Sequence, residues 1–241
     1  MSDSLEKKTL IRAIPIANAL KTCFDYIEKN NSLGGFISGN NKLDSTAFTD
    51  VSGDYDKLFA NNNNFMLSVS ELYDLTFVAL YETEVAKKAG DNVEYLVGTD
   101  IENQIAKNNE LREKQFCDGV LVIQRPKVEA GFFPIQHVKV ISFTEMKANI
   151  EDLVISAVLK KVEKRTNYPS ICGLVVSIIS GESGLDYKKI ADMVKNKLNF
   201  EALYFIEHHD SMKSATIISY NTTTMEIIRN PITIKPSLVN L

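Results

Sequence analysis

The sequence predicts an α/β fold, a three-layer α/β/α sandwich built on a mixed β-sheet. Predicted strands alternate with predicted helices between residues 116 and 229, an order that is typical of this class. The run from Ile171 to Ser180 is almost continuously apolar, as expected of a central strand that is covered on both faces. Of the 241 residues, 44% are hydrophobic and 24% are charged, which excludes a disordered chain, a collagen and a coiled coil.

The N-terminal segment, residues 1–64, is predicted to be an arm made of one helix and loops. Apolar residues recur with helical period from Pro15 to Lys29. Clusters of Asn, Gly and Ser then mark residues 30–64 as rich in loops, because these residues accept turn conformations. The α/β domain is therefore expected to span residues 65–241, with its core at about 100–208.

The first part of this domain is predicted to contain two helices and a strand. Ser70 is suited to cap a helix, since its hydroxyl can accept a hydrogen bond from a backbone amide, and Gly90 is suited to end it. The short apolar run Val93–Val97 is expected to form a strand. Asp100 is placed to cap a polar helix over residues 101–114.

The second part is predicted to begin with a β-hairpin and to continue with alternating helices and strands. The hairpin strands are expected at residues 116–124 and 132–143. Asn149 and Asp186 are suited to cap the two helices that follow. Further strands are expected at residues 171–180, 202–207, 215–220 and 225–229.

Charge and hydrophobicity narrow the classes of partner. The formal net charge is −4, and the scattered lysines lack the basic stripe of a dedicated nucleic-acid module. No apolar run reaches the roughly 20 residues of a membrane span, and the N-terminus lacks a signal-peptide pattern. These features predict a cytoplasmic protein with no membrane partner.

The cysteines point to packing rather than to a metal or a disulfide. There are three of them, Cys23, Cys117 and Cys172, and their wide spacing and odd number favour neither a disulfide framework nor a zinc cluster. Cys117 and Cys172 fall in predicted apolar strands, so they are expected to be buried packing residues.

One acid and two basic side chains are predicted to meet on the hairpin. With the turn centred near Val128, Asp118 is expected to face position 138 on the partner strand. His137 and Lys139 share one face of that strand and lie next to this position. Hairpin geometry therefore groups Asp118 with His137 and Lys139.

Glu145-Met146-Lys147 offers a second grouping with an acid two residues before a lysine. Glu145 would lie about seven residues further along the strand, roughly 23 Å away at ~3.3 Å per residue. It also falls just before the helix that Asn149 is expected to cap. Hairpin geometry therefore favours His137 and Lys139, whereas the criterion of an acid two residues before a lysine favours Glu145 and Lys147.

The order of elements over roughly residues 100–208, with an acid on one strand and a lysine on the next, resembles the restriction-endonuclease-like, or PD-(D/E)xK, nuclease superfamily. The resemblance implies nucleic acid as the substrate and Mg²⁺ or Mn²⁺ as the cofactor, bound by hard oxygen ligands. It implies Asp118 and Lys139 as catalytic residues, and Asp118, His137 and Glu145 as metal ligands.

His137 departs from that pattern, because imidazole is a poor ligand for Mg²⁺. Gln136, a residue type that the family accepts before its lysine, is three residues before Lys139 and is expected on the opposite face of the strand. The sequence therefore leaves two hypotheses open, an altered metal site or a catalytically silent relative with no cofactor.

Three functional hypotheses remain. The leading one is a nuclease-like protein that hydrolyses phosphodiester bonds with a divalent metal. The alternative is a non-enzymatic subunit of a protein complex, or a homo-oligomer, that docks through residues 1–64. The third is a small-molecule enzyme with its ligand at Ser180–Gly184, a loop of small residues before a helix. His208-His209-Asp210 is expected to be a polar strand end.

Overall fold

Nine strands pair into one mixed sheet in the computed structural model, which describes residues 9–30, 49–53, 69–100, 118–142, 149–164, 171–180, 185–194, 196–197, 199–208, 214–221 and 227–233. The strands are β1 (Thr9–Pro15), β2 (Thr49–Gly53), β3 (Glu94–Asp100), β4 (Gly119–Arg125), β5 (Val128–Ser142), β6 (Gly173–Ser180), β7 (Ala202–His208), β8 (Ser214–Asn221) and β9 (Ile227–Thr233). The helices of the described residues are α1 (Ile16–Asn30), α2 (Val69–Ala89), α3 (Ile150–Glu163) and α4 (Tyr187–Val194). The predicted α/β class is confirmed.

The strands lie in the order β2-β1-β3-β4-β5-β6-β7-β8-β9. β5, β6 and β7 run parallel, and the other neighbouring pairs are antiparallel. α3 connects β5 to β6, and α4 connects β6 to β7, as expected because parallel neighbours need a crossover. The apolar run predicted to be a central strand forms β6, which lies between two parallel partners.

Buried side chains form two large clusters that contain different helices. The first core cluster holds residues of α1 and α2, and the second holds residues of α3 and α4. Along β6, Val175 belongs to the first cluster while Leu174 and Val176 belong to the second. Along β5, Ile135 belongs to the first and Val140 to the second. Because side chains alternate along a strand, odd-numbered residues in this part of β5 lie toward α2 and even-numbered residues lie toward α3.

The described part of residues 1–64 extends this sheet. β1 pairs with both β2 and β3, and Leu20 and Cys23 of α1 are buried in the first core cluster. The helix expected from Pro15 to Lys29 is confirmed as α1. β2 has the sequence Thr-Asp-Val-Ser-Gly. It lacks the alternation of apolar and polar residues from which a strand could be predicted. It is the edge strand of the described sheet, so backbone pairing with one neighbour defines it.

Two of the predicted helix caps are present. The Asn149 side chain accepts a hydrogen bond from Glu151 N–H at 2.9 Å, and Asp186 Oδ1 accepts one from Lys189 N–H at 3.0 Å. Both bonds satisfy amides of the first turn, which have no partner within the helix. Ser70 instead lies inside the first turn of α2, which begins at Val69.

Gly90 ends α2 as predicted. Its φ is +80°, in the left-handed region that favours glycine. Gly90 N–H donates to Lys87 O at 3.1 Å, and Asp91 N–H donates to Ala86 O at 2.9 Å. These are the two hydrogen bonds of a Schellman motif, which satisfies the last carbonyls of a helix.

The variant Gly90→Ala is expected to lower the free energy of unfolding by about 1 kcal/mol. A Cβ at this position would have no heavy atom within 4 Å, so the loss comes from backbone strain rather than from a clash. Urea denaturation measures it. Gly90→Asn is the graded control, because asparagine tolerates left-handed backbone better than alanine does. Equal losses in the two variants would contradict this explanation.

Candidate functional site

The β4–β5 hairpin places Asp118 two positions away from its expected neighbour. Gly119 pairs with Ile135, so the register brings Asp118 beside Gln136 rather than beside position 138. The turn is tighter than expected, because β5 already begins at Val128, the residue expected at the centre of the turn. The predicted register is therefore wrong by two residues.

Asp118, Gln136 and Lys161, here called the Asp118 cluster, meet on the side of β5 that carries α3. Lys161 Nζ donates to Asp118 Oδ2 at 2.9 Å and to Gln136 Oε1 at 3.0 Å. The backbone N–H of His137 also donates to Asp118 Oδ2, at 2.7 Å. The side chains of Asp118 and Lys161 are 30% and 20% exposed, so solvent reaches the carboxylate and the ammonium, whereas Gln136 is buried. Among the described residues, both contacts of the carboxylate fall on Oδ2, which leaves Oδ1 for a ligand.

Asp74, His137 and His208, here called the Asp74 cluster, lie on the other side of β5, where α2 packs. His137 Nε2 is 2.7 Å from Asp74 Oδ2, and His208 Nε2 is 2.6 Å from Asp74 Oδ1. None of the three side chains is more than 4% exposed. An ionised carboxylate can only accept hydrogen bonds. We therefore assign the hydrogen to Nε2 of each imidazole.

Two opposing effects act on the pKa of the Asp74 carboxyl. Burial by itself would raise this pKa, because a charge is disfavoured in a medium of low dielectric constant. The charge of His208 and the hydrogen bonds from both imidazoles act in the other direction and hold the pKa well below its ordinary value. The cluster therefore stabilises the ionised carboxylate.

The hydrogen bonds of His208 do not have the arrangement of a nucleophile triad. In such a triad the serine and the acid contact different nitrogens of the imidazole. Here Ser177 Oγ, at 3.2 Å, and Asp74 both contact Nε2. His208 Nδ1 is buried without a hydrogen-bond partner among the described residues. The ring packs against Tyr73, stacked at 5.6 Å, and against Phe77, nearly perpendicular to it at 6.3 Å, so aromatic contacts hold it in place.

The side chains of His137 and Lys139 lie away from the Asp118 carboxylate. Lys139 Nζ donates to Ser70 Oγ, in the first turn of α2, at 2.6 Å. His137 points to the same side, whereas Asp118 and Gln136 contact α3. The expectation that Asp118 faces these two side chains is wrong, because the register differs by two residues. The catalytic role of Lys139 and the metal-ligand role of His137 stay predictions.

Some predicted candidates lie outside the described residues. They are Glu145, Lys147, residues 181–184, His209, Asp210, Cys117 and the helix expected at residues 101–114. Cys172 is a buried thiol that forms no disulfide, which confirms the packing role expected of it. Cys23 is also buried, and burial, together with the nearby Asp74 carboxylate, raises the pKa of its thiol well above the ordinary value.

Asp74 and Lys161 were not identified from the sequence, and only Asp74 carries a local signal that could have identified it. Asp74 lies in the middle of a run of buried residues in α2, where a charged side chain signals a buried partner. Lys161 resembles an ordinary lysine in the last turn of a helix, where cations are common, so no local pattern marks it. The expectation that Gln136 points away from Lys139 is confirmed.

Comparison with known proteins identifies no family. A scan of the sequence against protein-family models found no match, and a search of curated proteins found no relative. None of the described helices, α1 to α4, has the length and hydrophobicity that a membrane-spanning helix needs. The same residues include no group of three or more His, Cys, Asp or Glu side chains that could hold a metal ion.

The variant Asp74→Asn is expected to lower the free energy of unfolding at pH 7 by about 2 kcal/mol. The amide oxygen can accept from one imidazole, and the amide N–H groups then oppose the Nε2–H of the other. Urea denaturation of wild type and variant at pH 7 and pH 3 measures the difference.

The direction in which the stabilising contribution of Asp74 changes with pH follows from its lowered pKa. Because folding lowers the pKa of Asp74, its stabilising contribution is present above about pH 4, the value for an unfolded aspartate. The contribution is lost as the pH falls below that value. The difference in stability between wild type and Asp74→Asn should therefore shrink from pH 7 to pH 3, and a difference that grows would contradict the assignment.

Proposed function

We propose that the chain is a nuclease-like protein that hydrolyses phosphodiester bonds at the Asp118 cluster. One observation carries the proposal. Lys161 Nζ lies within hydrogen-bond distance of both the Asp118 carboxylate and the Gln136 amide oxygen. An acid next to β4, an amide on β5 and an ammonium on α3 thus converge, with the acid and the ammonium partly exposed to solvent and the amide buried.

We propose a three-layer α/β/α sandwich of the restriction-endonuclease-like kind as the frame of this site. The distribution of the helices supports the layers, since α1 and α2 share one core cluster with the sheet and α3 and α4 share the other. The succession of a hairpin, a helix and a central parallel strand supports the family resemblance.

The oxygen donors of the Asp118 cluster fit a hard divalent cation. Asp118 Oδ1 and Gln136 Oε1 are hard ligands, and Mg²⁺ commonly takes few protein oxygens and keeps waters and substrate phosphates for the rest. Bound Mg²⁺ or Mn²⁺ would supply a Lewis acid and an acidified water. The His137 N–H holds Asp118 Oδ2 in place. Lys161 is suited to stabilise the negative charge that develops on a phosphate in the transition state.

In this proposal, Gln136 and Lys161 take the roles that the sequence suggests for His137 and Lys139. The family pattern expects a lysine two residues after the Glu or Gln, and that position holds Val138 here. The lysine that contacts Gln136 is Lys161 of α3, which lies 25 residues further along the chain than Gln136. Asp118 keeps its role as catalytic residue and metal ligand.

A groove next to the cluster supports an anionic substrate. Its volume is about 410 Å³, and it lies between β5 and α3. Lys139, Lys160, Lys161 and Lys164 are among its lining residues, and no acidic side chain of the described residues lines it. The ammonium of Lys139 itself donates to Ser70. In a chain of net charge −4, such a local excess of positive charge favours the phosphate backbone of a nucleic acid.

A second candidate function is the non-enzymatic, protein-binding subunit. One observation favours it, since Asp118 is the single carboxylate of the Asp118 cluster. A cleavage assay separates this candidate from the nuclease.

The test is cleavage of single-stranded and double-stranded DNA and RNA in the presence of Mg²⁺ or Mn²⁺. Asp118→Asn and Lys161→Met are each expected to lower the rate about 100-fold or more, since each removes a group that stabilises charge in the transition state. Lys139→Met is expected to keep most of the activity, because Lys139 contacts Ser70 on the other side of β5.

Asp152→Asn and Lys188→Met are the matched controls. Both residues are exposed and lie outside the cluster, so these variants should cleave as the wild type does. Absence of metal-dependent cleavage by the wild type, or full activity of Asp118→Asn and Lys161→Met, would rule the proposal out.

A further inference from the structure

His137 links the Asp74 cluster to the Asp118 cluster through opposite sides of β5. Its side-chain Nε2 contacts Asp74 Oδ2 at 2.7 Å, and its backbone N–H donates to Asp118 Oδ2 at 2.7 Å. Since one residue makes both contacts, a displacement of the His137 backbone affects both of them.

The Asp74 end of this connection is held firmly. Each oxygen of Asp74 contacts one imidazole, and the His208 ring is packed against Tyr73 and Phe77. Charge-assisted hydrogen bonds in a water-poor environment are strong, and leaving a buried carboxylate without its donor is unfavourable. His137 therefore has one favoured position.

The Asp118 end is held by fewer contacts. Asp118 lies just before β4 and is 30% exposed, and among the described residues its carboxylate contacts the His137 N–H and Lys161. The side chain of Lys161 is long and partly exposed, whereas the His137 N–H is part of β5. The orientation of the carboxylate thus depends mainly on His137.

We infer that Asp74 is a positioning residue for Asp118. Asp74 fixes the imidazole of His137, and the His137 N–H in turn fixes the orientation in which Asp118 presents its other oxygen, Oδ1. The consequence for cleavage rests on the proposed function, whereas the coupling between the two clusters does not.

The coupling is tested without metal or substrate, by NMR of the His137 amide. Asp118→Asn is expected to shift this resonance, because it removes the charge of the acceptor. Asp74→Asn is expected to shift the same resonance and to speed its hydrogen exchange, because local opening at His137 becomes easier. Glu82→Gln is the matched control, since it makes the same acid-to-amide change on α2 at a carboxyl that accepts from Tyr204. It should leave the His137 amide unchanged.

His137→Gln provides a second variant in case Asp74→Asn does not fold. It keeps the backbone N–H and loses the imidazole contact with Asp74, so the amide of residue 137 should again exchange faster. The inference is overturned if that amide responds to Asp118→Asn but to neither Asp74→Asn nor His137→Gln. It is also overturned if Glu82→Gln has the same effect as Asp74→Asn.

Cleavage kinetics separate this inference from the proposed function. Asp74→Asn should lower kcat 10- to 100-fold with little change in KM, because Asp74 lies on the far side of β5 from the groove. A wild type that does not cleave would end the proposed function, and the amide measurement would still decide the coupling. Cleavage with an unaltered kcat in Asp74→Asn would overturn the positioning role alone.

Discussion

A buried carboxylate shared between two imidazoles is the constraint on which the geometry around β5 depends. An unpaired charge in the interior is costly, so Asp74 requires donors on both of its oxygens, and His137 and His208 supply them. This requirement sets the position of α2 against β5 and β7. Because side chains alternate along a strand, placing His137 beneath α2 also places Gln136 on the side of α3.

The two sides of β5 consequently have different chemistry. The side beneath α2 is closed, with Asp74 and both imidazoles at most 4% exposed, and it provides rigidity. The side next to α3 is partly open and brings an exposed acid and ammonium together with a buried amide, and the ammonium, that of Lys161, also lines a cationic groove. A rigid support beneath an accessible set of polar groups is the arrangement that pre-organised sites require. This division of roles favours the α3 side as the place for chemistry.

Most of the fold between residues 116 and 233 could be predicted from the sequence, since local signals determine it. Asn149, Asp186 and Gly90 act within one turn of their own helices, and β6 is marked by its apolar run. Predicting the register of the β4–β5 hairpin requires the exact length of its turn. The predicted register was wrong by two residues, and it therefore assigned the wrong partners to Asp118. Lys161 and Asp74 act over 43 and 134 residues of sequence separation, so tertiary packing alone brings them to their partners.

The tautomers of His137 and His208 test the central constraint most directly. Long-range ¹H–¹⁵N spectra of the three imidazoles in the chain distinguish a protonated ring nitrogen from an unprotonated one. Sharing of the Asp74 carboxylate predicts protonated Nε2 in both His137 and His208 at neutral pH. An unprotonated Nε2 in either residue would mean that this imidazole does not donate to Asp74, and the account of β5 would not hold.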